Sequence, residues 1–598
     1  MQIQPLFHSV PTLRPAFLGV AALLCVAFGQ TERMRNSDFS GGFNDRGIAE
    51  GWEDNSSWAP VTVVYASDAP GVDGGGSCQK IEVASFKGGA VQFVHGLLEP
   101  VGRYRLARVA LSLKGEMKTP VEVQLRKRSH PYTTYITRSF LATPEWKALS
   151  FEEPLPDSAP DMIAVIRLTG TGSIWIDDFH VTDRVLPGPN PFTVLAPPSR
   201  PVPEAYFGQH THNHRYPELT WPAVPFKQLR FWDSRTAWPW LEPRKGEWNF
   251  ERLDRLVEAC VASNVQILLT MGLTPQWASA RPQERSAYTA QFQETGWAAE
   301  AAEMADWRNY VRTVATRYKG RIRHYEMWNE PNNNVLPLAF FTGTHAKLAE
   351  LCREAYAILK AVDPSNTVIS PAVVGSAAYT DGFLRAGGKG TFDKLGYHFY
   401  TGYHSKSVYD RAPERSIAEV LRVKRVLADH GLAEFGLWNT EAGWYAESAS
   451  RAETHPEEGK ASEWVPLQEQ GDLIARLYLL QWAQGVESFS FYAWDNGNMG
   501  LIEKDGAPKP GAIAYRTIQG WMVGSRMLSC RADEGENWVA EFRDPRGKAF
   551  RVVWREKGAG EIEVGAWGAG ESCDLYGKRV PMKGARTLAT GGSPLRIE

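Results

Sequence analysis

The sequence predicts an α/β molecule: a (β/α)8 barrel flanked by an N-terminal β-sandwich and a small C-terminal β-sandwich. Three observations point there. From about residue 204 to 524, eight strand-like apolar runs alternate with stretches whose apolar residues recur at spacings of three and four. On either side the pattern changes to short alternating runs broken by Gly, Pro, Asn and Asp. Seven prolines between Leu186 and Pro203 mark the first boundary. A chain of 598 residues suggests two to four domains, and 43% apolar residues are enough for real cores.

The elements follow in order. After Arg14, an apolar run from about Ala16 to Phe28 ends in Ala27-Phe28-Gly29, with small residues where a signal peptidase reads. The run is too short to span a bilayer comfortably, so residues 1–29 are expected to be a signal peptide and the protein secreted or periplasmic. No other segment is long and apolar enough to be transmembrane. Residues 34–183 carry strand patterns at 61–65, 89–94, 121–125 and 173–178, the rhythm of a β-sandwich. There Trp52 suits the core and Trp58 an exposed stacking surface. Residues 184–203 read as an extended connector. Within 204–524, strands are expected at 205–212, 226–233, 266–272, 324–330, 368–375, 394–400, 435–441 and 488–495, with helical patterns such as 251–262 between them. A doubly wound open sheet uses the same alternation. It leaves unexplained why polar and aromatic residues gather at the C-terminal ends of nearly every strand, as a barrel requires. Residues 525–598 alternate again and are expected to form a small sandwich packed on the barrel.

Composition narrows the partners. A net charge of -2 gives no electrostatic reason to expect nucleic acid. The 22 tryptophans lean toward a carbohydrate substrate, because indole faces stack on the C–H-rich faces of sugar rings. No Cys/His spacing suggests a zinc site. Cys260 and Cys352 look like buried small hydrophobes, while Cys530 and Cys573 share the C-terminal segment and could pair.

Hydrolysing a glycoside with retention takes two carboxyl groups about 5–5.5 Å apart, one to protonate the leaving oxygen and one to attack the anomeric carbon. The strand reading puts Glu330 at the end of the fourth strand and Glu441 at the end of the seventh, on opposite sides of a barrel mouth. Their surroundings, Tyr325-Glu326-Met327-Trp328-Asn329-Glu330-Pro331-Asn332 and Leu437-Trp438-Asn439-Thr440-Glu441-Ala442-Gly443-Trp444, resemble the acid/base and nucleophile motifs of the clan A (β/α)8 retaining glycosidases. With Leu229-Arg230-Phe231-Trp232-Asp233, Trp238, Lys245-Gly246 and Leu253-Asp254, the chain from about Ala205 onward most resembles glycoside hydrolase family 39. Asn36-Ser37-Asp38-Phe39, Gly51-Trp52 and Trp175-Ile176-Asp177-Asp178-Phe179 resemble the jelly-roll carbohydrate-binding modules.

The resemblance implies roles. Glu330 would be the general acid and then base, Glu441 the nucleophile, Asn329 a partner of the sugar 2-hydroxyl, and Arg230 the group that keeps Glu441 ionised. Glu330 then needs a raised pKa and Glu441 a lowered one. His398 and Tyr400 would contact substrate or buttress Glu441; His210 and His212 are weaker candidates of the same kind. Trp494 is a candidate floor for the sugar subsite, and Trp277, Trp444 and Trp232 would line further subsites or pack. Asp233 and Asp495 are strand-end acids outside any nucleophile-like motif. The insertion at 445–465 is expected to cover one side of the site. The implied chemistry needs no metal or organic cofactor. A non-catalytic carbohydrate-binding protein and a transglycosylase are the alternatives; the first is disfavoured because both glutamates, Asn329 and Arg230 are all present.

Overall fold

The computed structural model describes residues 31–598 apart from 73, 118, 131, 214–216, 335, 403–407, 448–463, 535 and 569. The expected signal peptide and most of the insertion at 445–465 lie outside the described residues. The chain divides into two compact units, Met1–Asn190 and Pro191–Glu598. No described helix is long and apolar enough to cross a membrane.

The first unit is a sandwich of two antiparallel sheets. One orders its strands Val61–Asp68, Cys78–Phe86, Gly172–Val185, Arg105–Met117 and Lys147–Pro154, with Thr31–Glu32 added along Gly172–Val185. The other runs Trp52–Asp54, Val91–Gly96, Met162–Leu168, Val121–Lys127 and Thr134–Phe140. Alternation sets the inner faces: Val121, Val123 and Leu125 are buried at every second position of one strand. Trp52 is in this core, stacked on Phe93 at 4.5 Å, whereas Trp58 is 58% exposed.

The second unit is built on a parallel barrel: β1 (Phe207–His210), β2 (Gln228–Phe231), β3 (Gln266–Met271), β4 (His324–Met327), β5 (Thr367–Ile369 and Val373–Val374), β6 (Leu395–His398), β7 (Leu437–Ala442) and β8 (Val486–Phe491). Strand β5 is broken at Pro371; its first part pairs with β4 and its second with β6, and β8 pairs with β1. Six of the seven connections between successive strands carry a helix among the described residues, and helix Pro510–Met522 follows β8; the β1–β2 connection has none. Pro217, Pro222 and Pro225 there are spaced too closely for a helix to run between them. The helices earn their place by one apolar stripe: Leu253, Leu256, Val257 and Cys260 of Glu251–Ala262 are buried against the strands. Outward-facing strand residues such as Leu229, Phe231, Tyr325, Met327 and Tyr397 complete that layer. Inside the barrel lie Leu268, Ile369 and Trp438, with polar groups above them.

Behind the barrel, a seven-stranded sheet runs Val194–Leu195, Arg526–Ala532, Asn537–Arg543, Ala549–Arg555, Leu595–Ile597, Glu571–Asp574 and Arg579–Pro581. A two-stranded sheet, Gly560–Glu563 with Thr587–Thr590, lies over Val553, Ile562, Val564 and Met582. Part of the stretch expected as a connector is therefore strand: Val194–Leu195 pairs with Cys530 and Arg531, and Val202 bridges Val523. Cys530 and Cys573 do not pair; both are free thiols. They sit four strands apart in this sheet, about 19 Å at 4.8 Å per step, far beyond disulfide reach.

Candidate active site

The site is founded on a buried ion network at the C-terminal ends of β2, β3 and β4. Arg230 is wholly buried, and its Nε and Nη2 donate to Glu326 Oε2 at 2.9 and 2.6 Å. Thr270 Oγ1 donates to the same oxygen at 2.6 Å. The rest of the guanidinium faces the catalytic candidates: Nη1 donates to Glu441 Oε2 at 2.6 Å and Nη2 to Asn329 Oδ1 at 2.7 Å. A cation this deep is tolerable because charged or polar acceptors meet it on every side.

Both glutamates are aimed by irregular backbone. Trp328 and Glu330 have φ of 61° and 44°, left-handed values that cost bulky residues on the order of 1 kcal/mol or more each. The turn is held by Trp328 N–H to Met271 O at 2.7 Å, Glu330 N–H to Ala372 O at 2.8 Å and Trp328 Nε1 to Phe340 O at 2.9 Å. On β7, Asn439 pairs with Phe489 and Ala442 with Phe491, three residues against two; the bulge contains Glu441 and turns it inward.

The two carboxyl groups face each other over His398. Glu330, His398 and Glu441 each place one atom within 4.8 Å of the others. His398 Nδ1 is 2.8 Å from Glu330 Oε1 and 3.9 Å from Glu441 Oε1. Burial pushes the His398 pKa down to about 4, so the imidazole is neutral near pH 7. Glu330 also receives Asn333 Nδ2 at 2.9 Å, and Glu441 the Tyr400 hydroxyl at 2.9 Å. Burial raises Glu330 to about 7, with the charges of Asp233 and Glu326 adding and Arg230 opposing. Burial raises Glu441 too, against the lowering expected from Arg230, whose charge is shared with Glu326. Glu441 still ionises first: a guanidinium touches it, whereas Glu330 meets only neutral donors.

A cavity of about 350 Å³ opens above the pair. Asn329, Tyr400 and Trp232 line it, as do Glu330 and Glu441. Arg230, expected to keep Glu441 ionised, and His398, expected to contact substrate or buttress Glu441, lie beneath the carboxylates and outside the cavity wall. Trp494 is placed differently from expectation, and Trp277 and Trp444 take the second of their two expected roles, packing. Trp494 is buried at the rim with its N–H on His210 O, because Tyr492, directly after β8, takes the cavity position. Trp277 packs edge-on against Trp238 and donates to Glu242 O, and Trp444 is buried with its Nε1 on Thr401 O. Asp495 accepts the backbone N–H groups of His212 and Asn213 and fixes that loop.

Sequence reasoning missed Glu326, although it stands one residue before the strand end on the same inward face as the site. It also missed the aromatic wall of Trp240, Tyr288, Phe292 and Phe340, contributed by the loops after β2, β3 and β4. His210, His212 and Asp233 bring donor atoms within 4.8 Å of one another. They make a poor cation site: His210 Nε2 faces the Asp233 N–H at 3.4 Å, and its Nδ1 lies 3.5 Å from the Arg230 guanidinium.

Residues 234–499, covering most of this barrel and its rim, match the model of the cellulase family, glycosyl hydrolase family 5. The barrel is a clan A glycoside hydrolase domain. Among solved structures, the chain is similar to a glucosidase from Croceicoccus marinus at 15% identity, over 68% of this chain and 97% of that one, with a TM-score of 0.45. A family 39 β-xylosidase from Caulobacter crescentus is similar at 17% identity, over 68% and 97%, with a TM-score of 0.46. A carbohydrate-binding module of the type named CBM4 is similar at 17% identity, over 25% of this chain and 99% of its own, with a TM-score of 0.21.

Proposed function

We propose that the protein is a retaining O-glycoside hydrolase that cleaves oligo- or polysaccharide by double displacement, with Glu330 as acid/base and Glu441 as nucleophile. The observation that carries this is that one oxygen of each carboxyl group lies within 4.8 Å of an oxygen of the other. An inverting enzyme needs about 6.5–9.5 Å, to leave room for water.

In the first step Glu441, held by Arg230 and Tyr400, attacks the anomeric carbon while protonated Glu330 gives its proton to the leaving oxygen. Asn329 Oδ1 is taken by Arg230, which leaves Nδ2 to donate to the 2-hydroxyl. Esterification removes the charge on Glu441, lowers the Glu330 pKa and turns Glu330 into the base that activates water for the second step. Export, the role read for residues 1–29, belongs to the same proposal; N-terminal sequencing of the mature protein would test it.

Glu441→Gly should lose turnover of aryl glycosides by at least about 10⁴-fold, with partial rescue by azide and formation of an inverted glycosyl azide. NMR of the first sugar released by the wild type should show the anomer of the substrate. Normal turnover in the variant, or an inverted first product, sinks the assignment.

A further inference from the structure

Asp233, two residues past β2, lines the same cavity as Glu330 and Glu441. We infer that it binds hydroxyl groups of the sugar in that cavity and restricts the site to neutral sugars, excluding uronates; this rests on the hydrolase reading above. Asp233 is held from one side. Its Oδ2 accepts the Tyr492 hydroxyl at 2.7 Å, and His212 Nε2 and His210 Nε2 stand 3.5 and 3.8 Å from the same oxygen. Among the described residues no hydrogen bond reaches Oδ1, and the side chain keeps 22% exposure. A carboxylate so fixed presents a charged acceptor whose natural partners are hydroxyl donors.

Charge balance gives the exclusion. Three carboxyl groups line the cavity, and no Lys, Arg or His does among the described residues. Arg230, the cation in contact with Glu441, is committed to Glu326, Glu441 and Asn329. A sugar carboxylate would meet like charges and no free partner, a repulsion that serves specificity. A purely structural partner for Tyr492 would not need the charge. The Asp233 carboxylate also bears on the reacting pair, pushing up the pKa of both Glu330 and Glu441.

The test uses the full chain and Asp233→Asn, which preserves shape. Calorimetry with D-glucose, D-galactose, D-xylose and the matching uronates reads binding without turnover. The wild type should bind at least one neutral sugar about tenfold or more above its uronate, and the variant should lose about tenfold on that sugar and narrow the ratio. With p-nitrophenyl glycosides the variant's kcat/KM should fall in the same way, and its alkaline limb should move to lower pH because a like charge beside Glu330 is gone. Tyr492→Phe, which frees Oδ2, should weaken neutral-sugar binding less. Unchanged binding in Asp233→Asn, tighter binding of a uronate by the wild type, or no neutral-sugar binding at all overturns the inference. A wild type that binds neutral sugars with the expected preference but hydrolyses no glycoside overturns only the hydrolase reading.

Discussion

Glu330 has a pKa raised to about 7 by burial, from an ordinary 4.5. Two consequences have definite sign. Catalysis needs its proton in the first step, so the alkaline limb of kcat/KM should lie at about 7 and fall tenfold per pH unit above it, while at lower pH the rate should fall again as Glu441 takes up its proton; an alkaline limb near 4.5 would show that burial does not act as described. Stability moves the same way. A carboxyl whose folded pKa lies above its unfolded value contributes fully below pH 4.5 and loses that contribution as pH rises through 7. Glu330→Gln should therefore stabilise the protein at pH 8 by a few kcal/mol, and by little at pH 4, as read by thermal unfolding. Arg230 behaves in the opposite sense. Arg230→Met strands Glu326 and Glu441 without their cation, and should cost roughly 3–5 kcal/mol at neutral pH, along with activity.

At the scale of elements, the barrel strands were legible because each is a short apolar run whose inward and outward residues alternate. Their ends were not: β4 stops at Met327 and β8 at Phe491, since the last residues turn to aim side chains. Glu330, Asn329, Arg230 and Glu441 stood out because the chemistry needs those types at those strand ends. Trp494, Trp277 and Trp444 did not reveal their places, because the direction of an indole beyond a strand is decided by its tertiary neighbours. Glu326 was hidden inside a recognisable motif, its role visible only beside Arg230. The turn after β4 carries its own prediction. Gly272 has φ 156°, and a Cβ there would stand 3.2 Å from the Trp328 ring. Gly272→Ala should displace Trp328, lower stability by about 1–3 kcal/mol and reduce kcat more than it raises KM, because Glu330 loses its aim. An unchanged kcat would mean that this turn does not position the acid.

The whole molecule separates differently at its two ends. The N-terminal sandwich has its own core, and the second unit, which begins at Pro191, includes strand Val194–Leu195 of the rear sheet. The rear sandwich is tied to the barrel by buried polar contacts. Arg476, on helix Leu467–Ala483, pairs with Glu414, whose Oε1 also accepts Trp554 Nε1 at 2.8 Å. Arg476 and Glu414 are each only 5% exposed, so removing the sandwich would open an ion pair and a buried apolar face together. A chain of residues 191–598 should thus unfold in one transition with the kcat/KM of the full chain on aryl glycosides. A chain ending at 524 should be insoluble or melt well below it. Full activity from the chain ending at 524 would mean that the rear sandwich is an accessory; loss of folding in 191–598 would mean that the boundary at Pro191 does not divide two independent folding units.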